Sequence, residues 1–234
     1  MCSNYRPVTR SDRLLSFYGV ERARDEPPVD VWPLGLAPFI RLAENGSGNR
    51  LVEDGLFGLL PHFAELAAGR KTYNARSETV AKLPSFRESW SKGWRCIIPA
   101  ESFYEPNYET GKAVRWLIQQ PGEVPMGIAG IYRRWRHDDG REVFTFAMLT
   151  VNADNHPVMQ RFHKPGEEKR MVVILPPEDC NRWLACSVAE APAYFKQWDG
   201  PLDAYAAPLP PRSPKSSSVI TSRPSPPPET DNLF

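Results

Sequence analysis

The chain of 234 residues carries a formal net charge of +1, with 41% hydrophobic and 24% charged residues. This composition is that of an ordinary globular protein. Because the net charge is close to zero, any nucleic-acid surface must be a local positive patch. No apolar run approaches the ~20 residues that span a bilayer, and no apolar signal follows the N-terminus, so we expect a cytoplasmic protein with no membrane partner. Four scattered cysteines are too few for a disulfide framework, which favours a reducing compartment.

The chain begins Met1-Cys2. If Met1 is removed, Cys2 carries a free α-amine and a thiol on adjacent carbons, and such a 1,2-aminothiol condenses with an aldehyde to a thiazolidine. The amine titrates near ~8 and the thiol near ~8.5, so a modest shift makes either group reactive. Taken alone, however, a small residue at position 2 is typical of a frayed terminus.

The first half of the chain gives mixed local signals. Prolines and glycines predict an irregular segment over residues 21–50, in which 33–42 lies against the body of the protein. A strand is predicted over 51–60 and a short helix over 62–68. The other elements predicted here are a helix capped by Ser85 that runs to Lys92, a strand over 94–98, and a turn that begins at Pro106.

The second half reads as a series of strands. They are predicted over 113–119, 126–135, 143–151 and 171–175, with a hairpin turn at Asp138-Asp139-Gly140. Short helices are predicted over 156–162, 178–186 and 191–198. This order favours a single β-rich α+β domain over 1–205, followed by a Pro/Ser-rich disordered tail over 206–234.

Three polar residues suggest chemistry. Glu105 follows an apolar segment among aromatic residues, a setting that suits a general acid or base. Asn74 offers donors and an acceptor to a reacting oxygen, and Arg76 is a natural phosphate ligand. Each has a simpler interpretation: an exposed turn glutamate, a turn asparagine, and an arginine paired with Glu78 or another carboxylate.

Among the histidines, His163 is the most suggestive, because a Pro-Gly loop and then Arg170 follow it. A single loop histidine is nevertheless more often structural or exposed. The Cys and His spacings match no zinc pattern and no phosphate-binding glycine loop occurs, so we predict neither a metal nor a cofactor. Basic residues beside aromatic ones, as in Arg133-Arg134-Trp135-Arg136, suit single-stranded nucleic acid, although a solvated face with buried rings is simpler.

Several motifs occur together in one order. They are Met1-Cys2, Phe57-Gly-Leu-Leu-Pro61, Asn74-Ala-Arg-Ser-Glu-Thr79, Pro84-Ser-Phe-Arg87, Arg95-Cys-Ile-Ile-Pro-Ala100, Phe103-Tyr-Glu105, and His163 with Arg170-Met-Val-Val-Ile-Leu175. This combination resembles the SOS response-associated peptidase (SRAP) family, which contains the abasic-site processing proteins. The resemblance covers roughly residues 2–200 and leaves out the tail.

The resemblance implies a curved, barrel-like antiparallel sheet with peripheral helices. It also implies loss of Met1, possible autoproteolysis and lyase activity, and a thiazolidine cross-link to an abasic site in single-stranded DNA. By resemblance Cys2 is the nucleophile, Asn74 holds Cys2 and the sugar oxygen, Glu105 transfers protons and His163 assists. A monomer is expected.

Arg76 and Arg170 are the DNA phosphate contacts that the resemblance implies. Asn4, Phe57 and Pro106 occupy further DNA-contacting positions, but each departs from the family pattern. Asn4 stands where the family has arginine, Phe57 where it has tryptophan, and Pro106 where it often has a stacking tryptophan. The spacer between His163 and Arg170 is also longer than usual.

Two other functions fit a Met-Cys terminus. An N-terminal-nucleophile amidohydrolase, such as a class II glutamine amidotransferase, also uses a first-residue cysteine. Its Asn-Gly-Asp oxyanion segment is missing here, and Asn152-Ala-Asp154 is the nearest string. A non-enzymatic single-stranded nucleic-acid binding module, in which Cys2 is incidental, is the third possibility.

Overall fold

The computed structural model describes residues 2–23, 25–27, 29–137 and 139–210. Within these ranges the chain forms β1 (Asn4–Pro7), α1 (Ser11–Tyr18), β2 (Leu36–Leu42), β3 (Arg50–Phe57), β4 (Asn74–Arg76), α2 (Arg87–Ser91), β5 (Arg95–Asn107), β6 (Val114–Gln119), β7 (Met126–Arg136), β8 (Glu142–Asn152), β9 (Arg170–Val172), β10 (Ile174–Leu175), α3 (Cys180–Ala185) and β11 (Asp203–Ala206). Short 3-10 helices lie at Leu66–Lys71, Pro121–Glu123, Met159–Arg161, Pro177–Asp179 and Ala191–Tyr194.

Five strands close into a barrel. The pairing runs β7–β8–β3–β2–β5, and β5 returns to β7, so the ring has no free edge. The predicted α+β class with a barrel-like sheet is confirmed. Most pairs are antiparallel, but β3 and β4 both run parallel to β8, so the sheet is mixed.

Aromatic side chains fill the barrel. Phe39, Phe57 and Phe146 are fully buried, and the Phe146 ring centroid lies 5.5 Å from that of Phe39 and 5.7 Å from that of Phe57. Burying each ring contributes roughly 1.5–3 kcal/mol. Gly55 in β3 leaves room for them, because a Cβ there would lie 2.9 Å from the Phe39 ring.

The strands outside the barrel place the N-terminus. β1 pairs with β5 on its outer side, with Asn4 opposite Tyr104. β6 pairs with the last residues of β5, and β11 pairs with β6. The chain start therefore lies alongside the end of β5, where Glu105 is found.

Two predictions near the barrel are wrong. The segment 33–42 is not irregular, because β2 occupies most of it and buries Phe39 and Ile40 completely. Pro106 does not begin a turn, because β5 continues to Asn107 and pairs with β6. Sequence reasoning ends strands at proline, but Pro106 uses only its carbonyl, which accepts the amide proton of His163.

The short helices are also corrected. The predicted helices over 62–68, 156–162 and 191–198 are 3-10 turns at Leu66–Lys71, Met159–Arg161 and Ala191–Tyr194. Ser85 does not cap α2, which begins at Arg87 after Phe86. The single strand expected over 171–175 is split at Val173. The amide of Val173 donates to Leu149 of β8 and its carbonyl accepts from Ala129 of β7, so β9 pairs with β8 and β10 pairs with β7.

The remaining predicted elements agree in type. The strands over 51–60, 94–98, 113–119, 126–135 and 143–151 and the helix over 178–186 correspond to β3, β5, β6, β7, β8, and the Pro177–Asp179 turn with α3. The expected hairpin turn joins β7 to β8, although Asp138 lies outside the described residues. Of the predicted tail, residues 211–234 also lie outside them.

Candidate active site at the N-terminus

Cys2 lies inside the protein rather than at a frayed end. Its side chain is 1% exposed, and its thiol donates to the carbonyl of Asn4 at a sulfur–oxygen distance of 3.4 Å. In this chain the Cys2 nitrogen is the amide of the Met1–Cys2 bond. The pairing of β1 with β5 fixes Cys2 beside Glu105, a position that the sequence spacing does not reveal.

Asn74 reaches Cys2 from the other side of the site. It is the first residue of β4, held by its pairing with Met148 of β8. Its Nδ2 donates to the Cys2 carbonyl at 2.7 Å. Its Oδ1 is buried, and no hydrogen-bond donor among the described residues reaches it. This acceptor suits a hydroxyl or ammonium proton brought in by a reactant.

Glu105 and His163, the residues predicted to transfer protons, lie next to each other. His163 Nε2 lies 3.1 Å from Glu105 Oε2, and the two side chains are 6% and 1% exposed. The separation is that of an ion pair, but its angles are not those of a hydrogen bond. Catalytic contacts of this kind often align only when substrate binds.

His163 takes an unusual backbone conformation. Its φ is 63°, in the left-handed region that a non-glycine residue seldom adopts. Its amide donates to the carbonyl of Pro106 at 2.9 Å, and Phe162 forms an isolated bridge with Asn107. The loop is thus held to the end of β5, and the imidazole lies beside Glu105.

The electrostatics keep the Cys2 thiol protonated. Burial, and then the negative charge of Glu105, raise its pKa to about 12. Tyr73 belongs to the same environment, because burial followed by the charges of Cys2 and Glu105 raises the pKa of its phenol. Its ring packs edge-on against Phe57. The sequence analysis did not place Tyr73 near Cys2, because a tyrosine before a strand gives no indication of that position.

The predicted phosphate contacts lie together next to β8. Arg170 is 2% exposed, and its guanidinium donates to both carboxylate oxygens of Glu78 at 2.9 and 3.0 Å. Arg76 is exposed, and its Nη1 lies 3.1 Å from Glu168. The simpler interpretation of Arg76, an ion pair with Glu78 or another carboxylate, agrees with its contact to Glu168, whereas Glu78 pairs with Arg170. Whether these arginines bind DNA remains a prediction.

Of the three other predicted DNA contacts, Asn4 and Pro106 line one cavity, whereas Phe57 lies apart from them. Phe57 lies in the barrel core with no exposed surface, so in this conformation its ring packs protein rather than DNA. Asn4 is also buried, and its Oδ1 accepts hydrogen bonds from Arg115 at 2.6 and 2.8 Å. Pro106 is partly exposed and lines a cavity next to the site.

This cavity, of about 270 Å³, holds residues that sequence reasoning missed. Trp32 lines it and is 44% exposed, in a region predicted to be irregular. Arg115 lies on the Tyr104 ring at 3.3 Å and pairs with Asp30. An exposed aromatic next to an arginine is the arrangement on which nucleic-acid bases stack. The signal available in the sequence was the tryptophan itself.

The described residues hold neither a metal-binding cluster nor a membrane-spanning helix. No group of three or more His, Cys, Asp or Glu side chains is arranged to hold a metal ion there. Among the same residues, no helix has the length and apolar character needed to cross a membrane.

The buried Cys2 thus has an asparagine on its carbonyl and a carboxylate near its thiol, and that carboxylate is adjacent to a histidine. The profile of the family "SOS response associated peptidase (SRAP)" matches residues 1–207. The chain therefore belongs to the SRAP family.

Named relatives and solved structures agree with this assignment. The abasic site processing protein YoqW of Bacillus subtilis is 29% identical over 210 residues, covering 87% of this chain and 88% of that protein. YobE of the same species is 30% identical, covering 79% and 82%. A crystal structure of a protein from Bordetella bronchiseptica superposes with a TM-score of 0.80 at 35% identity, covering 89% of this chain and all of that one.

Proposed function

We propose that this protein, once Met1 is removed, processes abasic sites in single-stranded DNA by forming a thiazolidine cross-link through Cys2. The observation that carries the proposal is the convergence of Cys2, Asn74, Glu105 and His163 from four separate segments. Removal of Met1 by autoproteolysis and a subsequent lyase step belong to the same proposal.

The reaction begins with the sugar. An abasic deoxyribose is mostly a closed hemiacetal, and opening it to the aldehyde requires proton transfer at the ring oxygen. Glu105, with His163 3.1 Å away, is the group placed to move that proton. The Cys2 amine then attacks the aldehyde carbon, and loss of one water gives the imine.

The thiol closes the ring. Because the pKa of Cys2 is about 12, the thiol carries its proton at neutral pH. Adding sulfur to the imine carbon therefore requires a base for the thiol proton and an acid for the imine nitrogen. Glu105 accepts the first proton and His163 relays the second. Atoms balance as protein plus DNA minus one water.

Asn74 orients this chemistry. Its Nδ2 fixes the Cys2 carbonyl, which positions the α-amine next to Glu105. Its buried Oδ1 is an acceptor for the ammonium or for a sugar hydroxyl. The DNA strand is held by Arg76 and Arg170 on one side, and by Trp32, Pro106 and Arg115 around the cavity on the other.

Intact-protein mass spectrometry tests the proposal. The protein alone reports whether Met1 is absent. We then expect an adduct of protein plus oligonucleotide minus one water with a single-stranded oligonucleotide that carries one abasic site. Cys2→Ala should form none, and Cys96→Ala, which alters another buried thiol, should form it.

Three outcomes contradict the proposal. If Met1 is retained, the amine is blocked and the protein is a binding module. If Met1 is absent but no adduct forms, ammonia release from glutamine tests the amidotransferase alternative. If Cys2→Ala still forms the adduct, another nucleophile acts.

A further inference from the structure

One carboxylate joins the two arginines that lie next to β8. Glu168 Oε1 accepts a hydrogen bond from Arg170 Nη1 at 2.7 Å, and its Oε2 lies 3.1 Å from Arg76 Nη1. Asn152 Nδ2 also donates to Oε1, at 3.1 Å. Hydrogen bonding to Arg170 is the main effect that lowers the pKa of Glu168, so its carboxylate is charged at neutral pH.

The two arginines differ in how firmly they are held. Arg170 is buried and anchored by Glu78 and by the carbonyl and hydroxyl of Thr150, at 2.8 and 3.2 Å. The Arg76 and Glu168 side chains are 46% and 36% exposed. Glu168 can therefore leave without disturbing Arg170, because the buried contacts of the guanidinium remain.

Charge changes when Glu168 leaves. With Glu168 in place, the Arg76 and Arg170 guanidinium groups are balanced by the carboxylates of Glu78 and Glu168. Without Glu168, the set of Arg76, Arg170 and Glu78 carries one net positive charge. One N–H donor from each arginine then points to the position that the Glu168 carboxylate occupied. A phosphodiester has the same single charge as a carboxylate and likewise two oxygens for bridging two guanidinium groups.

We propose that Glu168 is a built-in stand-in for a DNA phosphate, which the phosphodiester of a bound strand displaces from Arg76 and Arg170. The inference rests on the proposed function for the identity of the strand. Glu168 belongs to the spacer between His163 and Arg170. The Glu168 carboxylate competes with isolated phosphate groups for the two arginines. Only a DNA strand that also contacts other parts of the protein therefore replaces it.

The test compares two neighbouring substitutions. Glu168→Gln removes the bridging charge, and Glu167→Gln removes the same charge from an exposed spacer residue without a side-chain ion pair among the described residues. Fluorescence anisotropy measures the affinity of each protein for an intact single-stranded oligonucleotide over a range of salt concentrations. Glu168→Ala provides a second variant, and thermal unfolding checks that all variants fold.

We expect Glu168→Gln to bind about three- to tenfold more tightly than Glu167→Gln at low salt, since two partly exposed ion pairs no longer compete. The slope of log affinity against log salt should steepen by about one phosphate contact. Adding Arg76→Ala should abolish the gain.

Equal affinities and salt slopes for Glu168→Gln and Glu167→Gln would overturn the inference, as would a gain that survives Arg76→Ala. Cross-linking of the wild-type protein to an abasic oligonucleotide is measured in parallel. If cross-linking occurs but the two variants bind alike, only the inference fails. If no cross-link forms but Glu168→Gln binds more tightly, the proposed chemistry fails and the phosphate stand-in remains supported.

Discussion

Replacing Glu105 with glutamine should lower the rate at which Cys2 forms a cross-link and also lower the pKa of the Cys2 thiol. The substitution is close to isosteric, so the packing around a side chain that is 1% exposed is retained while its charge and its basicity are lost. Cross-linking should slow, because the proton carrier is removed. The thiol should become easier to ionise, because the charge of Glu105 raises its pKa.

The magnitudes follow from the structure. Loss of a general acid–base group costs roughly 10²–10⁴-fold in rate, or about 3–5 kcal/mol of barrier. With a pKa of about 12, roughly 10⁻⁴ of the Cys2 thiol is ionised at pH 8. Each unit by which the pKa falls in Glu105→Gln raises that fraction about tenfold. The alkylation rate rises only about three- to fourfold, because a less basic thiolate is a weaker nucleophile.

Two assays on the same preparation check both effects. Denaturing gels give the rate of cross-linking to an abasic oligonucleotide, and peptide mass spectrometry gives the rate of Cys2 alkylation by iodoacetamide between pH 7 and 10. Glu109→Gln is the matched control, because Glu109 is an exposed carboxylate paired with Arg161. Slower cross-linking with slower alkylation would indicate a distorted site, and unchanged cross-linking would remove Glu105 from the mechanism.

Two further predictions concern residues around the site, and a third concerns the close approach of Gly58 to Gly69. Asn74→Ala removes the donor to the Cys2 carbonyl, so cross-linking should slow about 10²-fold through misplacement of the amine, with an unchanged rate refuting that role. Trp32→Ala should weaken oligonucleotide binding by roughly 1–3 kcal/mol, the usual value of one stacked base, whereas Phe17→Ala, outside the cavity, should not; equal effects would refute stacking. Gly58→Ala should lower the free energy of unfolding by roughly 2–4 kcal/mol, because its Cβ would lie 2.3 Å from the Gly69 carbonyl oxygen. Gly46→Ala shares a positive φ but has open space around it, so equal denaturation midpoints for the two would refute the steric cause.

Much of the fold was readable from local pattern. Runs rich in β-branched and aromatic residues, with turn signals between them, predicted β6, β7 and β8 within a residue or two. β2 was missed, since prolines and glycines around it suggest loops when read alone. What makes it a strand is pairing with β3 and β5, and those contacts are distant in sequence.

The sequence by itself determined which chemical groups are available: a cysteine at position 2, the Asn74–Arg76 segment, Glu105 and His163. The tertiary structure decided that Asn74 and Glu105 lie near Cys2, through the β4–β8 and β1–β5 pairings, and that His163 lies next to Glu105. It also decided that Phe57 packs the core and that Glu168 lies between Arg76 and Arg170. Composition and motifs show which chemical groups the chain has. The distances between these groups and their burial depend on closure of the barrel, which brings residues far apart in the chain into contact.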